Sequence, residues 1–207
     1  GKLIEFYGEN HGGKTSTCLD VIANYQHMED AKSVLYVDAE NTLDTVWAHK
    51  LGVEVDDMLI MNPTTQGAET IFEQVLKLID TGEIGFVAID SLGVMMSNQA
   101  YEKSVEEKTY GGIAMALTNF SKKAEALCHK HNCTLIGINQ MRADMNSMYG
   151  GKTTTGGLAW KHNCFGGNTK FVTDKGLRRF RDCKEGEEVV VVDKDGNLRN
   201  ATVHCYA

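Results

Sequence analysis

The chain has no apolar run approaching the length of a membrane span, and its opening residues carry no charged-then-apolar leader pattern. It contains no internal repeat and no low-complexity tract. Positive charge is in deficit: 21 Lys/Arg stand against 28 Asp/Glu, a formal net charge of −7. That argues against broad nonspecific attraction to nucleic acid, although a local basic loop could still bind it. The six cysteines (18, 128, 133, 164, 183 and 205) lack the pattern of a small secreted disulfide framework. Reduced thiols in a cytoplasm are therefore the expectation, with no membrane partner. The segment "CHKHNC" (128–133) holds metal-ligand residue types but no second pair, and it straddles a helix end and a strand start. Buried thiols beside an exposed helix end are the competing reading to zinc.

What is present suits a globular protein: 207 residues, 42% hydrophobic and 24% charged, enough for one sizeable domain or one domain with a small companion. The chain opens inside a strand-like run, "GKLIEFYGEN", so the expectation is that sequence precedes it. Apolar β-formers mark strands at 3–7, 33–38, 58–62, 84–90 and 133–140, the third closed by Pro63, the only proline. Helical patterns fill 14–27, 43–52, 68–80 and 111–131 between them; Ile71, Val75, Leu78 and Ile79 mark one helical face. Strand–helix alternation predicts an α/β fold, a mostly parallel sheet with helices on both faces. After residue 164 the texture turns all-β, and "EEVVVVDKDGNLRNATVHCYA" reads strand, Asp-Gly turn, strand. Charge shifts at the same place. Residues 164–207 carry eight Lys/Arg and seven Asp/Glu, which leaves −8 of the total −7 on residues 1–163. The predicted domains are thus 1–163 and 164–207.

The chemistry is concentrated in "GENHGGKT" (8–15), a G-x-x-x-x-G-K-[ST] pattern between a strand and a helix. Gly8 and Gly13 let the backbone curl so that N–H groups point at phosphate oxygens, and the helix N-terminus adds its positive end. Lys14 would reach the β/γ-phosphates and Thr15 would ligate Mg²⁺; Glu9, Asn10, His11, Gly12 and Ser16 complete the nucleotide-binding loop. "FVAID" (86–90) sets Asp90 at a strand's C-terminal end, suited to hold the Mg²⁺ shell. "YVDAEN" (36–41) places Asp38 and Glu40 at another strand end. Glu40 is the candidate base, and an acidic pair capping the next helix is the alternative.

These motifs and their spacing resemble the RecA recombinase family, including its phage UvsX-like members. The resemblance covers roughly residues 1–163 through "GENHGGKT", "VDAENTLDTVWAHKLGV", "VAIDSLG", "GINQMR" and "TTTGGLAWK". It implies a RecA-like ATPase core that uses ATP and Mg²⁺, acts in homologous recombination and DNA repair, and forms a homo-oligomeric filament on single-stranded DNA when complete. By resemblance Glu40 activates water, Asp44 and Trp47 contact adenine with the indole stacked on it, and Asp90 is the metal acid with Ser91 beside it. Gln140 would sense the γ-phosphate and couple it to a DNA-binding loop; a Gln satisfying strand-end backbone groups is the alternative. Two polar loops, 97–112 and 141–157, would bind DNA. In the second, Arg142 and Lys152 would meet phosphates. Thr153, Thr154, Gly156 and Gly157 would donate, and Met148 and Tyr149 would contact bases. Glu9 stands where the family often has proline. The N-terminal docking segment and last core strands are absent from the matching region. A RecA-like ATPase of another role, such as a clock or helicase-loading protein, is the runner-up.

The second half resembles the start of an intein, a partial Hint segment: Cys164, Phe165, Gly167, Asn168 and Thr169 lead into a strand. Cys164 would be the splicing nucleophile attacking the Asn163 carbonyl, with a complementary intein or recombinase fragment as partner. The expected Thr-x-x-His is replaced by "TVH" (202–204), and a terminal Asn is missing. A divergent continuation of the recombinase with a buried Cys164 is the alternative. A bacterial or phage-infected host cytoplasm is the expected setting.

Overall fold

The structure, a computed structural model, describes residues 1–8, 12–102, 112–143, 152–154, 160, 170–173, 176–179, 188–192 and 198–202. They fall in two compact units, Gly1–Cys164 and Phe165–Ala207.

In the first unit, strands β1 (Leu3–Gly8), β2 (Ser33–Asp38), β3 (Met58–Met61), β4 (Ile84–Asp90) and β5 (Thr134–Ala143) form a parallel sheet in the order β1-β5-β4-β2-β3. Between them lie α1 (Lys14–Gln26), α2 (Thr45–Lys50), α3 (Ala68–Asp80), the short α4 (Asn98–Glu102) and α5 (Gly112–His131). A parallel strand covered on both faces alternates its side chains between two cores. Leu35 and Val37 of β2, with Val87 and Ile89 of β4, enter the core under α3 and α5. Val34, Tyr36, Phe86 and Ala88 point to the opposite core, against Cys18, Leu19 and Ile22 of α1. All seven residues of β4 are buried, as its continuous apolar run requires.

Helix α3 is held by Ile71, Phe72, Val75, Leu76 and Ile79, buried on one face at three- and four-residue spacing. Phe72 stacks on Phe120 of α5 at 4.3 Å between ring centroids, and Phe120 in turn lies parallel to Trp160 at 6.3 Å. The ion pairs Lys123–Glu73 and Lys130–Asp80 lie on the exposed surface and add little. Cys128 and Cys133 are buried free thiols, whereas His131 turns to Asp80. Among the described residues no three metal-ligating side chains converge, and no helix is long and apolar enough to cross a membrane.

The structure differs from the sequence reading at two loops. Residues 98–102, read as loop, form α4. Residues 141–157 were expected as one loop, but β5 runs on to Ala143 and pairs antiparallel with β6 (Lys152–Thr154), Met141 opposite Thr154. Residues 103–111 and 144–151, with the rest of both loops' expected contacts, lie outside the described residues.

In the second unit, β7 (Lys170–Thr173), β8 (Gly176–Arg179), β9 (Glu188–Val192) and β10 (Leu198–Thr202) form an antiparallel sheet in the order β10-β9-β7-β8.

Gly137 sits where β5 passes the fully buried Trp160. A Cβ there would stand 2.5 Å from the Trp160 Cζ2 and 2.7 Å from the Leu92 Cδ1. Gly137→Ala should therefore cost about 1–3 kcal/mol by overpacking. Trimming the indole with Trp160→Leu in the same chain should recover part of that loss. Urea unfolding of the single and double variants measures both, and strictly additive losses would count against the contact.

Candidate functional site

Every polar group of interest sits at the carboxyl ends of the parallel strands, where open α/β sheets bind ligands. Strand register brings them together: Gly8 lies beside Gln140, and Asp38 beside Asp90. A cavity of about 480 Å³ opens there, lined by Gly12, Gly13, Lys14, Thr15, Ser16, Glu40, Asp90, Ser91 and Gln140 among others.

Its floor is the N-terminus of α1. Gly13 is the residue before the helix and adopts φ 74°, the left-handed region in which glycine carries no side-chain penalty. It offers no side-chain cap, and no acidic residue occupies the first turn. Among the described residues no side chain caps the first turn of α1, and its positive helix end faces the cavity beside Lys14. This donor set fits a phosphate chain.

The wall of the cavity carries acids that burial and partners set apart. Asp90, buried at the end of β4, accepts on one oxygen, Oδ2, from Thr15 Oγ1 at 2.7 Å and from Tyr36 OH at 3.0 Å. Burial pushes its carboxyl above the usual range; these two bonds oppose that, while the nearby Glu40 and Asp38 add to it. Burial and the Asp90 charge push the Tyr36 phenol far up, so its hydroxyl stays a donor. A threonine hydroxyl touching a buried carboxylate is a hard-oxygen donor set, and it fits Mg²⁺. The Asp90–Ser91 peptide is cis.

Glu40 accepts from Ser91 Oγ and, at 3.0 Å, from Gln140 Nε2. Asp38 does the work of a turn: its carboxylate accepts from the backbone N–H of Thr42 and Leu43 at 3.0 and 2.9 Å. Asp44, expected at adenine, is the N-cap of α2 and accepts from Trp47 N at 2.9 Å. Trp47 is half exposed, and its Nε1 donates to Ser16 Oγ at 3.2 Å; Ser16 lines the cavity, whereas Asp44 and Trp47 are not among the lining residues.

Of the other residues singled out in the sequence, Glu9, Asn10, His11, Met148, Tyr149, Gly156, Gly157 and Cys164 lie outside the described residues. Arg142, Lys152 and Thr153 are placed by backbone only, on the β5–β6 ladder. Thr154 is buried with an Oγ1 that has no partner among the described residues, a side chain turned inward rather than presented to a solvent-borne strand. Two buried aromatics that support the site's elements were missed, Tyr36 bonded to Asp90 and Trp160 packed against Gly137 of β5. Tyr36 reads as one more apolar position of β2, and Trp160 as part of a loop end. The only signal for either was a polar-tipped aromatic within an apolar pattern.

The raised carboxyl of Asp90 carries a sign. An acid with a higher folded than unfolded pKa costs stability, fully above the folded value and not at all below the unfolded one. Asp90→Asn should thus melt at an equal or higher temperature near pH 7. That advantage should shrink as pH falls through the folded pKa and vanish below the ordinary carboxylate range. Melting curves across pH check it, and a lower melting temperature at neutral pH would contradict burial as the dominant influence.

Residues 1–195 match the RecA N-terminal domain. Protein RecA of Colwellia psychrerythraea is 34% identical over 195 residues, which cover 92% of this chain and 52% of that protein. Protein RecA of Bordetella petrii is 35% identical over 191 residues, with 92% and 50% covered, and that of Clostridium perfringens is 34% identical over 162 residues, with 78% and 45% covered. The chain thus spans about half the length of these relatives. The crystal structure of the RadB recombinase shares the fold, with a TM-score of 0.57 over 79% of this chain and 71% of that one at 20% identity. With the cavity, its uncapped helix and the matched span taken together, the chain belongs to the RecA family through its N-terminal domain.

Proposed function

We propose that the first unit is the nucleotide-binding part of an ATP-dependent recombinase that acts on single-stranded DNA. The observation that carries this reading is the Thr15–Asp90 pair beneath the uncapped N-terminus of α1, with Glu40 on the same cavity. The N–H groups around Gly12 and Gly13, with Lys14, bind the phosphates of ATP. Thr15 and Asp90 hold Mg²⁺, which when bound neutralises phosphate charge. Glu40 orients water and accepts its proton, and Ser91 and Gln140 keep its carboxylate aimed.

Gln140 lies on β5 immediately before the stretch that pairs with β6. A contact between its amide and a terminal phosphate would compete with its bond to Glu40, and the arm that carries Arg142 and Lys152 begins one residue on. This supports a DNA-binding arm responsive to nucleotide. Changing Arg142 and Tyr149 to alanine should weaken ATP-dependent binding of single-stranded DNA. It should also lower the salt slope by roughly 0.7 for the lost phosphate contact. Fluorescence anisotropy against salt measures both, and unchanged binding would favour a RecA-like ATPase of another role.

A second reading concerns the second unit, whose small antiparallel sheet stands apart from the parallel one in composition and pairing. It is the N-terminal part of an intein, and Cys164 Sγ attacks the Asn163 carbonyl. A thioester forms as the peptide C–N bond breaks, and the freed amine of Cys164 takes the proton. The family match reaches residue 195, which favours the competing reading, a divergent continuation of the recombinase. The two separate on treatment with thiol. A splicing half is cleaved after Asn163 in the parent and not in Cys164→Ala, by mass spectrometry. A continuation is cleaved in neither, even with a complementary fragment added.

A further inference from the structure

Tyr36 stands out among core residues because its ring and its hydroxyl serve different neighbours. The ring belongs to the core under α1, with Cys18, Leu19 and Ile22, and is 1% exposed. The hydroxyl leaves that core and reaches Asp90 Oδ2 at 3.0 Å. Strand pairing sets this reach: Tyr36 lies opposite Ala88, and Asp90 is two residues further along β4 on the same face. A buried phenol must find an acceptor, and Asp90 is the acceptor within reach.

A carboxylate on a strand end turns easily about its terminal torsion, whose profile is broad and roughly two-fold. Here both recorded donors, Thr15 and Tyr36, converge on Oδ2, and among the described residues Oδ1 receives none. The two donors are not equivalent. Thr15 opens the first turn of α1 and is itself a candidate metal ligand, so its hydroxyl has competing duties. Tyr36 is fixed from behind by packed side chains, and among the described residues its hydroxyl bonds Asp90 alone.

We infer that Tyr36 is a positioning residue of the metal site: its hydroxyl, anchored in the core, pins Oδ2 of Asp90 and so leaves Oδ1 to the metal's shell. Tyr36 does not touch nucleotide or metal; it acts through Asp90. Groups that orient a ligating or shell carboxylate tune metal affinity, and losing one typically costs roughly 10–100-fold. The inference rests on the nucleotide reading above and deepens it by naming what sets the site's metal affinity.

The test is Tyr36→Phe in the full chain, which keeps the ring and removes one oxygen. ADP binding is followed by calorimetry without metal and across Mg²⁺ concentrations, and bound Mn²⁺ is counted by electron paramagnetic resonance in the presence of ADP. Metal-free ADP affinity should stay within roughly twofold of the parent, while half-saturating Mg²⁺ rises roughly tenfold or more and bound Mn²⁺ falls accordingly. Ile22→Val trims the same core without touching the hydroxyl. It should lower the melting temperature and leave the Mg²⁺ dependence unchanged. If Tyr36→Phe shifts melting but not Mg²⁺ dependence, or weakens metal-free and metal-dependent binding equally, the hydroxyl serves only its own burial and the inference is overturned. If the parent itself binds no Mg²⁺·ADP, the nucleotide reading falls, and the inference with it.

Discussion

The hydrogen bond from Thr15 Oγ1 to Asp90 Oδ2 ties the first turn of α1 to the end of β4 across 75 residues of sequence. It is needed because Asp90 is a buried carboxylate, and a buried charge without donors is among the costliest features a fold can carry. The parallel sheet creates the problem and supplies the remedy. Parallel pairing brings the carboxyl ends of β1, β5, β4 and β2 to one rim, so polar residues from four distant segments meet there. The helix that follows β1 then sets its N-terminal N–H groups and the Thr15 hydroxyl against that rim. The raised carboxyl of Asp90 shows that the remedy is partial, and a cation would complete it.

Four acids in this chain show how position divides roles that residue type leaves equal. Asp38 and Asp90 face each other in register at adjacent strand ends. Asp38 spends both oxygens on the N–H groups of Thr42 and Leu43, which fixes the turn before α2. Asp44 spends its carboxylate on capping α2. Glu40 and Asp90 accept from side chains instead and line the cavity, so they alone of the four can turn to a ligand. Of the pair Asp38 and Glu40, Asp38 holds the turn before α2 and Glu40 faces the cavity, while the cap of α2 is Asp44.

Much of this was legible in sequence because it is periodic or local. Strands 33–38 and 84–90 and helix 68–80 have the bounds their apolar patterns predict. The Gly-rich turn, Asp90 and Glu40 follow from motif and strand end. What stayed hidden depended on long-range partners. β5 extends to Ala143 because Lys152–Thr154 returns to pair with it, and nothing local in "QMRA" signals that ladder. Tyr36 and Trp160 occupy apolar positions, so periodicity assigns them to the core and stops. Which polar tip then meets which neighbour is decided by register between strands, not by spacing within one.

Trp160 shows what that register builds. β6 pairs against Met141–Ala143 of β5, and the fully buried indole of Trp160 packs beside Gly137 of the same strand. Both are thus fastened to β5, within a few residues of Gln140. The indole also shares the space beside Gly137 with Leu92, which follows Ser91, the residue that donates to Glu40. A shift of the cavity wall therefore has two physical routes to the arm: along β5 from Gln140, and through Ser91 and Leu92 against Trp160. Among the described residues the Trp160 Nε1 has no partner, and a buried indole N–H without one is costly. Its presence here is accounted for by ring area, which closes the core where glycine has left β5 bare.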